Sequence, residues 1–486
     1  MMKESTRQQW WRVIAVLSIA AFVLGACAGG AVETVVVERT VEVERTVEVE
    51  RTVEVETTVE VEVTPMPEAG DGPMLNTDVS GTVELWHFWA SPVRRNAIRR
   101  VMAICQQELP NIQVTDTVKP FGDIWTANLA AVAGGSGMPD VIVSDRPTLP
   151  RDAADGVYMN LQEWAERDGV TRDMFYEWAW DQGLYEGNIY GIPHETDVSV
   201  MFWNKQLFEQ ADLDPNRPPE TWEELWEYAD ALDRKDAQGN FTRIAFFPLW
   251  NRGVDIWQYT NAAEMIGPEG EVKINNPNMV ETAEWIKEWV DRYGGWQSLQ
   301  NFQNQFGAPP NDIFMSGGVA MLVDIFGYNS FLEFYRPRVN LDDDGDPGND
   351  PRMDWGIGLL PHAADASSGT WSGGFSLSIP TGAANAEAAW EFIKCATGAE
   401  GQASWARDTQ AQPTNIQAAN DPVLQSNPLW DVVDEALSVS TGGNYLPAYP
   451  NWGEQLGQRW ERVWIGELTP QQALDEAQAA VEEAAR

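Results

Sequence analysis

Between residues 82 and 143 the chain alternates segments that read as strand, helix, strand, helix and strand, and this alternation constrains the fold more than any other feature. Residues 82–89 are strand-like. Ser91-Pro92 is a helix start, a hydroxyl cap followed by proline in the first turn. Val93, Ala97, Ile98, Val101, Cys105 and Leu109 then recur at helical spacing until Pro110 ends the pattern. Residues 112–118 read as a second strand, and residues 125–133 as a second helix closed by Gly134-Gly135. Val141-Ile142-Val143 is a short unbroken apolar run, as expected of a strand covered on both faces. Strands and helices in this order imply α/β layers. With 486 residues and 43% hydrophobic content, the chain exceeds what one core uses, so at least two folded lobes are expected. Thr221-Trp222-Glu223-Glu224 and Thr469-Pro470-Gln471-Gln472 fit capping boxes that open later helices, the first over residues 222–232.

Several function classes are excluded by what the chain lacks. Asp and Glu number 74 against 32 Lys and Arg, a net charge of −42, and such a field repels a polynucleotide. Only His87, His194 and His362 are available to an imidazole relay or a His-rich metal site, so no metal or cofactor is expected. Asp342, Asp344 and Asp346 imitate a calcium loop, but Pro347 stands where the loop needs glycine and Met353 where it needs glutamate. That stretch reads as a solvated acidic loop. No G-x-S-x-G, H-E-x-x-H or phosphate-cradling motif occurs, and no enzyme is expected. The three cysteines do not make a disulfide framework.

The N-terminus reads as an address. Lys3, Arg7 and Arg12 precede an apolar run over residues 13–24, too short to span a bilayer comfortably and suited to a signal peptide covering residues 1–26. The run ends in Leu24-Gly25-Ala26-Cys27, which resembles a bacterial lipobox with Cys27 as the lipidated residue. Ordinary cleavage near Ala26, leaving a free Cys27, is the alternative. From Val37 to Glu60 a six-residue unit repeats, Val and Thr alternating with charged residues. Those valines have no partner elements, so residues 27–77 are expected to form an extended spacer, with a β-ribbon made with a second copy as the alternative.

The most distinctive stretches are Tyr190-Gly191-Ile192-Pro193, residues 201–208 (Met-Phe-Trp-Asn-Lys-Gln-Leu-Phe) and residues 218–225 (Pro-Pro-Glu-Thr-Trp-Glu-Glu-Leu). Gly137-Met138-Pro139-Asp140-Val141, residues 314–321, Gly373-Gly374 and residues 389–393 add to them. In these motifs, and in their order from about Gly81 onward, the chain resembles the family 1 extracellular solute-binding proteins, the maltose-binding-protein-like receptors of ABC sugar importers. Trp203 stands where the family usually has tyrosine. The resemblance implies a two-lobed periplasmic-binding-protein-like α/β fold with a hinge and an interlobe cleft. The first lobe would comprise residues 78–192 plus 362–404, the second residues 196–355 plus 410–486. It further implies a monomer that closes on a mono- or oligosaccharide and presents it to permease subunits. The membrane would be touched only through the lipid, on the outer face of the cytoplasmic membrane.

In open α/β sheets a ligand sits beyond the carboxyl ends of the strands, which points to His87 and Trp89 after the first strand and to Asp145 and Arg146 after the third. Family members contact sugar at the positions of Asp145, Arg146 and Glu195. A carboxylate accepts and a guanidinium donates, as vicinal hydroxyls require. A surface ion pair is the alternative for Asp145 and Arg146, and a hinge-stabilising bond for Glu195. The 24 tryptophans are the compositional oddity. Trp250, Trp371, Tyr449 and Trp452 lie in turn-rich stretches and are candidates to cover the apolar face of a sugar. Trp222, Trp226, Trp285, Trp289 and Trp390 fall at helical spacing and read as packing. Asp324, after a short strand, is a further candidate. Cys105 and Cys395 both fall on helices that the family fold places in the first lobe, where a disulfide or two buried thiols are open alternatives. Within the same fold a peptide, polyamine or polyol is the rival ligand. A secreted carbohydrate-active enzyme and a glycan adhesin are the rivals from other classes.

Overall fold

The computed structural model describes residues 73–266, 271–339, 350–442 and 452–484. The chain divides into residues 1–65 and 66–486. The leader, Cys27, the repeat, the Asp342–Asp346 stretch and Tyr449 all lie outside the described residues.

The expected α/β alternation is present. Gly81–His87 pairs in parallel with Ile112–Val118 and with Val141–Asp145. Between them run the helices Pro92–Glu108 and Asp123–Gly134. Ser91 caps the first helix by accepting from Arg94 N, and its buried face is Val93, Ala97, Ile98, Val101 and Cys105, the pattern read from the sequence. Two antiparallel neighbours from far along the chain extend this sheet. Val141–Asp145 pairs with the return strand Thr370–Ser378, and that strand pairs with Ile192–Asn204.

The strand Ile192–Asn204 joins the two lobes, and all 13 of its residues are buried. Residues Ile192–Val198 belong to the first-lobe sheet. Residues Ser199–Asn204 belong to a second sheet, flanked by Met321–Ile325 on one edge and Trp355–Gly358 on the other. Its second half, Val200-Met201-Phe202-Trp203, is apolar and β-prone and sits in the large second core. Its first half carries His194, Glu195, Thr196 and Asp197, polar side chains buried against Trp89, Trp405 and Arg146 of the first lobe, with Gly327 of the second lobe beside Asp197.

Helix-spaced tryptophans do the packing expected of them. Trp222 and Trp285 stack at 4.2 Å and 11°, and Trp226 meets Trp289 at 4.6 Å, joining the helices Trp222–Leu232 and Pro277–Arg292. Trp390 is wholly buried in the first lobe. Cys105 and Cys395 are joined by a disulfide with a Cα separation of 5.8 Å, holding helix Ala386–Thr397 against helix Pro92–Glu108.

Four boundaries differ from expectation, and in the first of them the first-lobe sheet runs on to Val198, so residues 196–198 do not belong to the second lobe. Residues 73–77 are not spacer: Lys394 Nζ donates to Met74 O at 2.6 Å, and Asn76 N donates to Glu391 Oε2 at 2.8 Å. The Lys394 ammonium is fully buried and also meets Asp168 at 2.7 Å and Glu391 at 3.0 Å, so a paired internal charge fixes the chain where it enters the lobe. Residues 362–371 pack with the second lobe, since His362 exchanges backbone bonds with Glu220 and Trp222 and Ala363 lies in the second core. Residues 410–425 stay with the first lobe: Tyr176 N donates to Thr414 O at 3.0 Å, and Arg407 pairs with Asp421 at 2.5 Å. The crossings therefore fall near residues 198–199, 371–375 and 426–430, set by strand pairing and caps rather than by the apolar pattern.

Candidate functional site

The crossings bring charged groups from distant segments to one buried place. Asp145 ends the third strand, and its register partner on the return strand is Phe375, which in turn pairs with Glu195. Asp197 follows Glu195 by two residues and so leaves the strand on the same side. Arg146 is fully buried; its Nη2 donates to Thr196 Oγ1 at 2.9 Å and to Gly373 O, and its guanidinium lies 5.2 Å from the Trp178 ring centroid. Gly374 makes this approach possible. Its φ of +147° disfavours a side chain, and a Cβ there would strike Glu195 O and Arg146 Nη2.

The second lobe closes the other side. A Cβ at Gly327 would lie 3.1 Å from Arg94 Nη2 and 3.3 Å from Asp197 Oδ1, so the start of the first-lobe helix and the crossing strand meet at the Phe326–Tyr328 turn. Arg252 bonds Ser199 Oγ from Nε at 3.0 Å and lies 5.0 Å from the Trp371 ring centroid. Asp324 accepts from Asn251 Nδ2 at 2.9 Å. Tyr176 and Trp178 stack at 5.8 Å and 10°. Together with Thr196, Gln412, Trp430 and Asp434 they line a cavity of about 50 Å³ between the lobes. Asn251, Arg252, Asp255 and Trp371 line another of about 120 Å³.

Burial dominates the electrostatics. It pushes Asp145 up to about 7 against the pull of Arg146, and Asp324 up to about 6 against Arg252. Glu195 and Asp197 are raised for the same reason, with Arg94 the leading opposing charge. Arg146 is lowered by burial to about 10, which leaves it a cation at neutral pH. Arg146 Nε and Nη1, Arg94 Nε, Glu195 Oε1 and Asp197 Oδ1 have no hydrogen-bond partner among the described residues. Each such group costs about 1–3 kcal/mol, and more when charged. The arrangement presents fixed donors and acceptors, with indole faces alongside, to a guest able to satisfy both.

A larger hollow of about 1010 Å³ lies on the second lobe, lined in part by Lys235, Asp236, Phe241, Arg292 and Phe306. Its half-buried cation, Arg292, is already paired with Asp230 and Asp233, each at 2.8 Å. Size therefore points one way and unsatisfied charge another, and the candidate site is the lobe junction, where buried polar atoms lack partners among the described residues.

Of the residues singled out from the sequence, Asp145, Arg146, Glu195, Asp324 and Trp371 come together here. His87, Trp89 and Trp250 do not. His87 is buried, with Nε2 3.3 Å from Asp116 and Nδ1 accepting from Trp89 N at 3.1 Å. Trp89 is 1% exposed and packs on Trp405 at 4.3 Å. Trp250 is 2% exposed and sits between Phe247 and Phe302 in the second core. The reasons differ: His87 is still within its strand, paired with Val118, whereas Trp89 and Trp250 turn inward and pack into the first and second cores. Trp452 begins the helix Trp452–Trp464, and its side chain lies outside what is described. Sequence reasoning missed Arg94, Tyr176, Trp178, Asp197, Arg252, Trp430 and Asp434. The cluster Tyr176-Glu177-Trp178-Ala179-Trp180 and the two-residue spacing of Glu195 and Asp197 were the available signals.

Among the described residues no helix is long and apolar enough to cross a membrane, and no group of His, Cys, Asp and Glu is arranged to hold a metal. The chain is 24% identical over 312 residues to the sn-glycerol-3-phosphate-binding periplasmic protein UgpB of Pectobacterium atrosepticum, a match spanning 60% of this chain and 65% of that one. Against the protein of the same name from Escherichia coli O1:K1 the identity is 24% over 434 residues, 83% of this chain and 92% of the relative. The fold superposes on mannotriose-bound CpMnBP1 with a TM-score of 0.72 and 24% identity, covering 82% of this chain and 99% of the other. UgpB of Mycobacterium tuberculosis in complex with glycerophosphocholine gives 0.67 at 20% identity, covering 84% and 98%. These likenesses establish the two-lobed architecture. A family profile described as bacterial extracellular solute-binding protein matches residues 101–431, so the chain belongs to that family.

Proposed function

We propose that the protein captures a carbohydrate, a mono- or oligosaccharide, at the lobe junction by hinge closure and delivers it to the permease subunits of an ABC importer. It acts as a monomer without metal or cofactor and without chemical turnover. Lipid on Cys27 holds it to the outer face of the cytoplasmic membrane, with the spacer giving it reach. More than one acyl chain is needed for stable anchoring, as each buried methylene contributes only about 0.8 kcal/mol.

One observation carries this reading. The buried strand half His194–Asp197 brings Glu195 and Asp197 beside Arg146 and Arg94 with unpaired polar atoms, next to the partly exposed rings of Tyr176 and Trp178. A sugar offers hydroxyls that both donate and accept, and an apolar ring face that an indole covers. Closure then follows from differential affinity, because only the shut form applies both lobes to the guest.

The three arginines favour a second reading, a phosphate-bearing solute such as those for which the relatives are named. Charge does not separate the two readings: Asp145, Glu195, Asp197 and Asp324 face Arg94, Arg146 and Arg252, but burial raises all four carboxylates, so the junction carries little net charge at neutral pH. Titration calorimetry of the mature chain decides between them. The panel is mono- and oligosaccharides, sn-glycerol-3-phosphate, glycerophosphocholine, a polyamine and a short peptide. Saturable heat with a sugar supports the proposal; heat only with a phosphate ester, polyamine or peptide overturns it.

A further inference from the structure

Phe121 is 68% exposed, more than any other aromatic among the described residues. It is nonetheless firmly supported. Phe88 meets it edge-on at 5.1 Å, and Trp125 does so at 5.0 Å. Behind these, Phe88 packs on Phe375 at 4.7 Å, and Trp125 Nε1 donates to Val143 O at 3.0 Å. Gly122, at φ +86°, turns the chain sharply into helix Asp123–Gly134 and leaves Phe121 at the corner.

The location is the relevant edge of the sheet. Phe88 directly follows the first strand, Phe121 follows the second by three residues, and Asp145 ends the third. Lys119 N donates to His87 O at 2.9 Å and ties the two loops together. Phe375, the support of Phe88, is the register partner of both Asp145 and Glu195. Starting from Arg146 the chain of contacts reaches the exposed ring of Trp178; starting from Asp145 it reaches the exposed ring of Phe121. The polar pair is thus linked to two accessible aromatic surfaces, one through each residue.

Resting on the carbohydrate reading above, we infer that Phe121, backed by Phe88 and Trp125, is a second stacking plate of the site, and that the solute is an oligosaccharide whose far ring lies on it. A single ring held at Arg146 and Trp178 leaves Phe121 bare. An exposed phenyl braced in fixed orientation by two other rings costs little entropy when a sugar face is laid on it.

Calorimetry with a series from mono- to tetrasaccharide tests this in the mature wild-type chain and in Phe121→Ala and Phe121→Trp. Phe121 is exposed, so both variants are expected to keep the wild-type unfolding temperature. The wild type should bind longer sugars more tightly. Phe121→Ala should lose roughly tenfold for the trisaccharide and nothing for its one-ring analogue, and Phe121→Trp should retain the length preference. Length-independent affinity in the wild type, or an unchanged trisaccharide affinity in Phe121→Ala, overturns the plate alone. So does loss of self-association in Phe121→Ala with sugar affinity intact, since the ring would then be a contact between copies. Absence of binding at every length overturns the carbohydrate reading itself.

Discussion

Arg146 Nη2 donates to Thr196 Oγ1 over 2.9 Å, so a first-lobe cation is hydrogen-bonded to the strand that the second lobe shares. Removing it leaves Glu195 and Asp197 buried with one fewer neutralising charge. Arg146→Ala should lower stability by about 3–5 kcal/mol, the usual cost of breaking a buried charge network from one side. Urea denaturation reads this directly. A change within the error of the wild-type midpoint would show that water already solvates these carboxylates.

The same burial sets a pH dependence. Asp145 and Glu195 hold protons more tightly in the folded chain than in the unfolded one, since burial raises both. The folded state therefore binds more protons, and stability falls as pH rises from the unfolded carboxylate range near 4 towards about 7. Asp168 acts oppositely. Its bonds to Arg167 and Lys394 hold it well below the usual range, so its contribution is present above pH 4 and lost in stronger acid. Buried His194 and His87, lowered by burial, act in the opposite sense, so the test is the difference between variants: across pH 4.5 to 7.5 the thermal midpoint of Glu195→Gln should fall less, or rise more, than that of the wild type. Parallel profiles contradict the assignment.

Trp371 stands 5.0 Å from Arg252 at the wall of the cavity of about 120 Å³, and Trp178 stands over Arg146. Trp371→Ala and Trp178→Ala should each weaken sugar binding by about 1–3 kcal/mol through lost apolar cover. Calorimetric dissociation constants report the loss. Unaltered affinity in both variants would place the ligand elsewhere.

The ammonium of Lys394 joins the entry segment to the first lobe. Lys394→Met should cost about 3 kcal/mol because Glu391 stays buried without it. Amide exchange should quicken at residues 74–79, with sugar affinity retained. Continued protection of those amides would assign the docking to Leu75 and Val79 packing instead.

Cys105 and Cys395 are 290 residues apart in sequence, so their bond closes most of the folded chain into one loop. Cys105→Ser with Cys395→Ser should lower stability by about 2–5 kcal/mol. Denaturation midpoints with and without reductant, compared with the double variant, test this. Equal midpoints for all three would mean that the thiols are unpaired in solution.

Local order was readable where neighbours in sequence determine it. The helix Pro92–Glu108 follows from a cap, a proline and apolar positions three and four apart, and the helix Trp222–Leu232 follows from Thr221 and Glu224 in the same way. The strand Ile112–Val118 was placed to the residue. Family motifs then pointed to Asp145, Arg146 and Glu195. Nothing local separated Trp250, which is core, from Trp371, which borders the junction, because both tryptophans stand in stretches that read as turn-rich, although Trp371 proves to lie in the strand Thr370–Ser378.

By itself the amino-acid order determined the α/β alternation, the helix starts and the acidity that turns polynucleotides away, since each depends on residues within a few positions or on a simple sum. The tertiary structure alone decided which charges meet. Thr196 bonds Gly373 across 177 residues and Trp405 bonds Glu195 across 210, and such contacts exist only after the chain has crossed between lobes and excluded water. Burial then raises the carboxylates and leaves donors and acceptors unpaired, a property of the assembled surroundings that no single segment carries.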